Sequence, residues 1–319
     1  MSVLVTGCNG FLGRALVNAL DPAEAVVGVG LSPTPASPGI CYRRVDVTDR
    51  ASVAALFREH RFVSVYHFAG VTEHSRIVDR KNATLAETLR GTLNLVEEFE
   101  ACGGERFVYA SSGKVYGPMT GRGLREDCPT NPTNVLGKMK LSAENLIRFF
   151  AEGSPRRYIL ARLFNIFGPT QKPAFVVPAI LTQLRTSGAI RLGELGHKRD
   201  YLYVDDAVEA LLTLARADLP QGLSIFNIGS GAARSVKEIL AELEDLLGFE
   251  IHVESEPARL RPDEFEEEFA DTGRLRALGW RPRHAFRDGL RDTAAYYAPE
   301  LLPVGTAMER PTAMVDDTI

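Results

Sequence analysis

The stretch TGCNGFLG at 6–13 constrains what this chain can fold into more than any other. Its glycines, Gly7, Gly10 and Gly13, follow a short β-branched run, SVLVT, and open a helical pattern, GFLGRALVNAL. Glycines at such a strand-to-helix turn let the backbone bend tightly and leave the first helical N–H groups open. Those groups and the helix dipole attract an anion, and a pyrophosphate comes close only where no side chain intrudes. A lone glycine triplet is a weak signal; a strand before it, a helix after it and further βα units raise it. The plainer alternative is a tight structural turn.

The alternation is present. SVLVT (2–6), AVVGVG (25–30), YRRVDV (42–47), SVYHFA (64–69), RFVYAS (106–111) and YILARLF (158–164) are short and rich in valine or aromatics. Such runs fit buried parallel strands, and the helical patterns between them fit right-handed crossovers. The expected fold is α/β: a Rossmann-type doubly wound parallel sheet with a smaller C-terminal α/β substrate lobe. The expected division is 1–168 for a dinucleotide-binding domain, 169–303 for the lobe and 304–319 for a loose tail, with part of the C-terminal half free to return to the first domain. Past Pro169, SIFNIG and IHVES read as isolated strands of the lobe.

Composition excludes several classes. The net charge is −4 over 319 residues, so no global basic field invites nucleic acid. No apolar run approaches the ~20 residues that cross a bilayer, and the first residues lack a secretory signal pattern. Cys8, Cys41, Cys102 and Cys128 have neither zinc-site nor disulfide-framework spacing. No metal is expected, and a reducing cytoplasm is the expected location.

The motifs TGxxGxxG (6–13), DVTD (46–49), HFAG (67–70), VYASSGKVYG (108–117), RLFNIFGP (162–169), RDYLYVDDAVEA (199–210) and RPDEFEEEFADTGRLRALGWRP (261–282) follow one another in order. In this the chain resembles the extended short-chain dehydrogenase/reductase family, the nucleotide-sugar epimerases and dehydratases, from residue 2 to about 295. The resemblance implies NAD or NADP on Gly7, Gly10, Phe11, Leu12, Gly13, Asp46, Val47, Phe68, Ala69, Gly70 and Lys140. The second strand of such proteins usually ends in an acid for the adenosine ribose. Gly30 stands there, which removes a barrier to NADP, while the family's habit favours NAD. Arg43 or Arg44 could reach that place, or be solvated strand-edge charges.

The resemblance also implies a catalytic centre, and here the chain departs from it. Ser112 takes the place of the residue that holds the reacting oxygen, and Lys140 that of the lysine beside the nicotinamide ribose. One helical turn earlier, where the family carries its acid/base tyrosine, stands Leu136. Leucine moves no proton, and general acid–base catalysis contributes roughly 100- to 10,000-fold. Another group must stand in, or the chain does not turn over. His74, which as a histidine titrates near neutrality, and Lys114, in the place of a dehydratase glutamate, are the candidates; each is equally readable as a surface residue. Thr88, where an asparagine is common, is a second departure. Glu73, Ser112, Asn165, Arg199 and Arg261 are the expected substrate contacts, the arginines for a diphosphate.

The expected function is an NAD(P)-dependent nucleotide-sugar epimerase or dehydratase acting through transient oxidation of the sugar, with an atypical acid/base. Alternatives are a catalytically silent nucleotide- or dinucleotide-binding protein and a one-way reductase or dehydrogenase. A homodimer is expected through helices near 84–102 and 137–152, whose apolar stripes (Leu85, Leu89, Leu93, Leu95; Leu141, Leu146, Ile147, Phe150) could instead face only the sheet.

Overall fold

The computed structural model describes residues 2–118, 122–187, 189–256 and 266–303. Arg261 and the tail 304–319 lie outside the described residues, as does the side chain of His74. The first half runs β1 (Ser2–Thr6), α1 (Phe11–Ala19), β2 (Ala25–Gly30), β3 (Cys41–Arg44), α2 (Arg50–Glu59), β4 (Phe62–His67), α3 (His74–Asp79), α4 (Lys81–Cys102), β5 (Arg106–Ser112), α5 (Val135–Ala151) and β6 (Arg157–Leu163). It continues through β7 (Asn165–Phe167), α6 (Val176–Ser187), β8 (Ala189–Leu192), β9 (Lys198–Tyr203), α7 (Val204–Arg216) and β10 (Gly222–Ile228). Last come β11 (Ala233–Ser235), α8 (Val236–Leu247), β12 (His252–Ser255), β13 (Glu267–Glu268), α9 (Gly273–Ala277) and α10 (Phe286–Tyr297).

Seven strands form one sheet in the order β10-β6-β5-β4-β1-β2-β3, paired in parallel throughout. Alternation buries both faces. Val3, Val5, Tyr66, Val108 and Ile159 join Leu16 of α1 and Leu211 of α7 in one core. Leu4, Val65, Phe107, Tyr158 and Leu160 join Leu56 of α2, Phe99 of α4 and Ile147 of α5 in the other. Burying one such leucine or phenylalanine contributes about 1.5–3 kcal/mol, which is why the strands read as unbroken apolar runs.

The strand order reverses between β1 and β4, so a crevice opens at their C-terminal ends. Thr6–Gly10 and His67–Gly70 lie at that crevice. In the C-terminal half, β9 pairs with β7, β11 and β13, β8 pairs with β12, and α6, α8 and α10 pack into a third core around Ile180, Leu243 and Leu290. One reading changes: SIFNIG is not an isolated lobe strand. It lies in β10, which pairs with β6 along seven positions and forms the edge of the main sheet. β3 also stops at Arg44, leaving Asp46 and Val47 in the following turn.

Candidate active site

The glycine turn is held from two sides. Thr6 Oγ accepts from Phe68 N at 3.2 Å and Ala69 N at 3.1 Å, stitching the end of β1 to the end of β4. Gly7 has φ +67°, and a Cβ there would lie 2.8 Å from Ala69 N. A Cβ on Gly13 would lie 2.2 Å from Gly7 O. These two glycines are therefore required by the fold itself. Gly10 is not: it is exposed at the N-cap of α1, and a Cβ would meet only Gly7 O, at 3.1 Å. A side chain at Gly10 would instead fill the space over the open N–H groups of the first turn. That cradle fits a dinucleotide pyrophosphate, with Gly10, Phe11, Leu12 and Gly13 around it.

The neighbouring turn is equally fixed. Asp46 Oδ1 accepts from Thr48 N at 2.9 Å, and Val47 O accepts from Asn94 Nδ2 of α4 at 2.9 Å. Gly91 lets α4 press against Val47, since a Cβ would sit 2.8 Å from Val47 Cγ2. Beneath, the buried His67 ring contacts Thr6 Oγ at 2.8 Å and Thr92 Oγ at 3.2 Å. Thr6 Oγ already accepts two N–H groups, so its own proton points to His67 Nδ1. Thr92 Oγ donates to Thr88 O at 2.8 Å, so Nε2–H donates to Thr92. The ring is thereby neutral, and burial, with the charge of Lys140 beyond it, pulls its pKa down to about 3. Thr88 bonds along its own helix, to Thr84 O at 2.7 Å.

The catalytic candidates gather at the end of β5. Ser112 Oγ accepts from Lys114 N at 3.2 Å and caps the short turn Gly113–Val115. Lys140 is buried; its Nζ donates to Ala110 O at 2.6 Å and lies 4.8 Å from the Tyr109 ring centroid. Burial pulls its pKa down to about 8, opposed by the carboxylate of Glu144. Asn134 caps α5 by accepting from Gly137 N at 2.8 Å. A Cβ on Gly137 would lie 2.2 Å from Lys114 O, so the first turn of α5 rests on the Lys114 backbone. Leu136, half-buried, belongs to that same first turn of α5.

Lys114 is not a solvated surface lysine. Its Nζ meets Glu268 Oε2 of β13 at 2.5 Å, and Arg199 Nε lies 3.8 Å from the same oxygen. Glu268 and Arg199 are both buried. Asn165 Nδ2 donates to Asp200 O at 3.2 Å, beside Arg199 on β9. The structure thus brings Ser112, Lys114, Lys140 and Leu136 to one corner, and Lys114 and Arg199 to a shared carboxylate. Glu73 stands at the N-cap of α3, where its carboxylate meets Lys172 Nζ at 2.6 Å, joining the segment after β4 to the segment after β7. His74 follows it as the first residue of α3.

Three carboxylates escaped the sequence reading. Glu268 was hidden in an acidic run, EFEEEFAD, where nothing distinguishes one glutamate from the next. Glu144 accepts from both Arg162 Nε and Nη2, at 3.0 and 2.7 Å, and from Ser111 Oγ at 2.6 Å, all buried. Its signal was its place one turn after Lys140. Asp200 takes Ser230 N, Gly231 N and Ala270 N at 2.7, 3.0 and 3.0 Å, joining two loops of the lobe.

A family model described as the NAD dependent epimerase/dehydratase family matches residues 3–229. The chain is 30% identical to GDP-6-deoxy-D-mannose reductase of Pseudomonas aeruginosa, over 91% of its own length and 94% of that protein's. It is 29% identical to UDP-glucose 4-epimerase of Mycolicibacterium smegmatis, over 93% and 98% of the two chains. Among solved structures, UDP-glucose 4-epimerase of Thermus thermophilus in complex with NAD superposes with a TM-score of 0.84 at 29% identity, covering 93% and 99%. UDP-glucose 4-epimerase of Thermotoga maritima with UDP-glucose gives 0.87 at 26%, covering 94% and 100%.

Proposed function

This chain belongs to the NAD-dependent epimerase/dehydratase family, and we propose that it turns over a nucleotide sugar by transient oxidation with an acid/base that is not at position 136. The observation that carries this reading is the intact corner of Ser112 and buried Lys140 around a leucine. The nicotinamide dinucleotide, when bound, would supply the hydride acceptor and donor for that cycle. Ser112, on the turn it caps, offers a hydroxyl to the reacting oxygen, in the manner of other oxyanion donors. Lys140 orients the dinucleotide from a dry position. Leu136 excludes water and moves no proton. Lys114 and His74 remain the candidates to exchange the proton in its stead; Lys114, paired with Glu268, would act as a cation or acid. Arg199, with Arg261, binds the diphosphate, and Asn165 lies beside Arg199.

Incubation with a panel of nucleotide sugars, read by mass and NMR, tests the reading. Loss of one water marks dehydration; unchanged mass with a changed sugar spectrum marks epimerisation. If no member of a broad panel changes, the chain is a binding protein. A second reading, one-way reduction of a keto sugar by free dinucleotide, is favoured by the similarity to the Pseudomonas reductase; there the sugar gains two hydrogens and the dinucleotide leaves oxidised.

The reading includes a homodimer in the cytoplasm. Leu95 and Ile147 are spent on the sheet, Leu89 and Phe150 pack against the same core and Leu141 against another, while Leu85, Leu93 and Leu146 stay half-buried on α4 and α5. Phe149 is 75% exposed beside them. Among the described residues no helix is long and apolar enough to cross a membrane, and the four cysteines are free.

A further inference from the structure

The end of β2 is where the two forms of a nicotinamide dinucleotide are told apart, because the adenosine ribose hydroxyls are read there. β2 and β3 pair in parallel, Gly28 with Tyr42 and Gly30 with Arg44. A Cβ on Gly28 would lie 2.9 Å from Cys8 Sγ, so that position faces the glycine turn. Side chains alternate along a strand, so position 30 faces the same way. A Cβ on Gly30 would in fact approach the Tyr42 hydroxyl, at 3.3 Å. Tyr42 packs in the same core as Cys8, and Arg44, two residues on, shares its face. By register Arg44 therefore stands opposite a side-chain-free position, on the face that the glycine turn occupies.

The arginine is aimed as well as placed. Its Nε donates to Leu31 O at 3.1 Å, which brings the guanidinium to the residue following Gly30. Among the described residues no ion pair engages it, and it is exposed. Arg43, by contrast, points the other way, toward Glu59 at 3.8 Å. The loop after β2 is tied down: Asn9 Nδ2 donates to Thr34 O at 2.8 Å, Asn9 Oδ1 accepts from Ala36 N at 2.9 Å, and Tyr42 donates to Ser32 O at 2.6 Å. Asn9 belongs to the glycine turn, so these bonds tie the loop to the phosphate cradle. A carboxylate at position 30 would repel a second phosphate; an open position faced by a free guanidinium attracts it.

We propose that Gly30 and Arg44 form a subsite for the 2′-phosphate of the adenosine ribose, so that the chain binds NADP(H) in preference to NAD(H). The proposal rests on the dinucleotide reading of the cradle but not on the sugar or on turnover.

The test is equilibrium titration of the full chain, freed of any carried dinucleotide, with NADPH, NADH, 2′,5′-ADP and 5′-AMP. NADPH binds roughly tenfold or more tightly than NADH, as one charge-assisted phosphate contact implies, and 2′,5′-ADP exceeds 5′-AMP by a similar ratio. Raising salt narrows both ratios. Arg44→Ala brings both ratios to about one while NADH affinity stays within about twofold; Arg44→Lys keeps part of the preference. Gly30→Asp reverses it. A variant that merely loosened the loop would weaken NADH and NADPH together and leave the ratio standing, which contradicts the proposal. Equal or tighter NADH binding by the natural chain overturns the proposal and leaves the cradle intact. No binding of any of the four overturns the cradle and the proposal together.

Discussion

Lys114 Nζ and Glu268 Oε2 lie 2.5 Å apart although 154 positions separate them in sequence. The carboxylate is 4% exposed and also faces Arg199, so one buried charge holds two cations that come from different parts of the chain. Breaking a buried ion pair from one side leaves charge without compensation. Glu268→Gln is therefore expected to lower unfolding free energy by roughly 2–3 kcal/mol, less than for a wholly buried pair because Lys114 is partly exposed. Denaturant midpoints measure it. An unchanged midpoint would mean the pair contributes nothing.

Lys114→Ala and His74→Ala separate the two candidate proton carriers. The one that stands in for the missing tyrosine loses roughly 100-fold or more in turnover, with dinucleotide affinity little changed. Full activity in both variants on the true substrate removes relocation. If no nucleotide sugar is turned over and Leu136→Tyr creates activity, the chain is a binding protein.

The two ends of the glycine turn respond differently. Gly10→Glu puts a charged side chain into open space over the α1 N-terminus, so dinucleotide binding is lost while the melting temperature shifts by only a few degrees. Gly13→Ala drives a methyl group against Gly7 O, 2.2 Å away, and destabilises the fold itself by roughly 1–3 kcal/mol. Cofactor content and thermal melts of both variants check the contrast.

His67 makes stability fall in acid. Its folded pKa of about 3 lies below the ordinary 6.5, so the folded chain holds fewer protons there than the unfolded one. Its contribution is complete above about pH 6.5 and is lost as pH falls toward 3, with a slope of at most ~1.4 kcal/mol per pH unit. His67→Gln is expected to flatten the fall between pH 6.5 and 4 relative to the natural chain. Parallel stability curves would show that carboxylates alone cause it.

Phe149→Glu places a charge on the exposed α4–α5 surface, away from the crevice. Sedimentation at micromolar concentration is expected to find a dimer for the natural chain and a monomer for the variant. A natural chain that sediments as a monomer removes the dimer.

The sheet was legible because strands buried on both faces are written as apolar runs: β1 and β2 coincide with SVLVT and AVVGVG. The rule fails where a buried strand carries charge. β9 reads KRDYLY and looks like a motif rather than a strand, yet Arg199 and Asp200 are both inside it, one facing Glu268 and the other taking three backbone N–H groups. Such charges reveal their partners only when distant segments meet, so Glu268 and Asp200 could not be read from local pattern. Gly30 and Leu136 were legible as departures; what faces them depends on register and helix packing that the order of residues does not state.

β10 gives the sheet an unusual schedule of assembly. Its partner β6 ends at Leu163, but the strand that covers that edge starts at Gly222, after β7, α6, β8, β9 and α7 have been made. During synthesis the seven-position edge of β6 therefore stays unpaired while nearly sixty further residues leave the ribosome. An open parallel edge of that length invites pairing with other chains. A gene cut after residue 168 would leave that edge open for good, a standing invitation to self-pairing that grafting Gly222–Ile228 back beside β6 would remove.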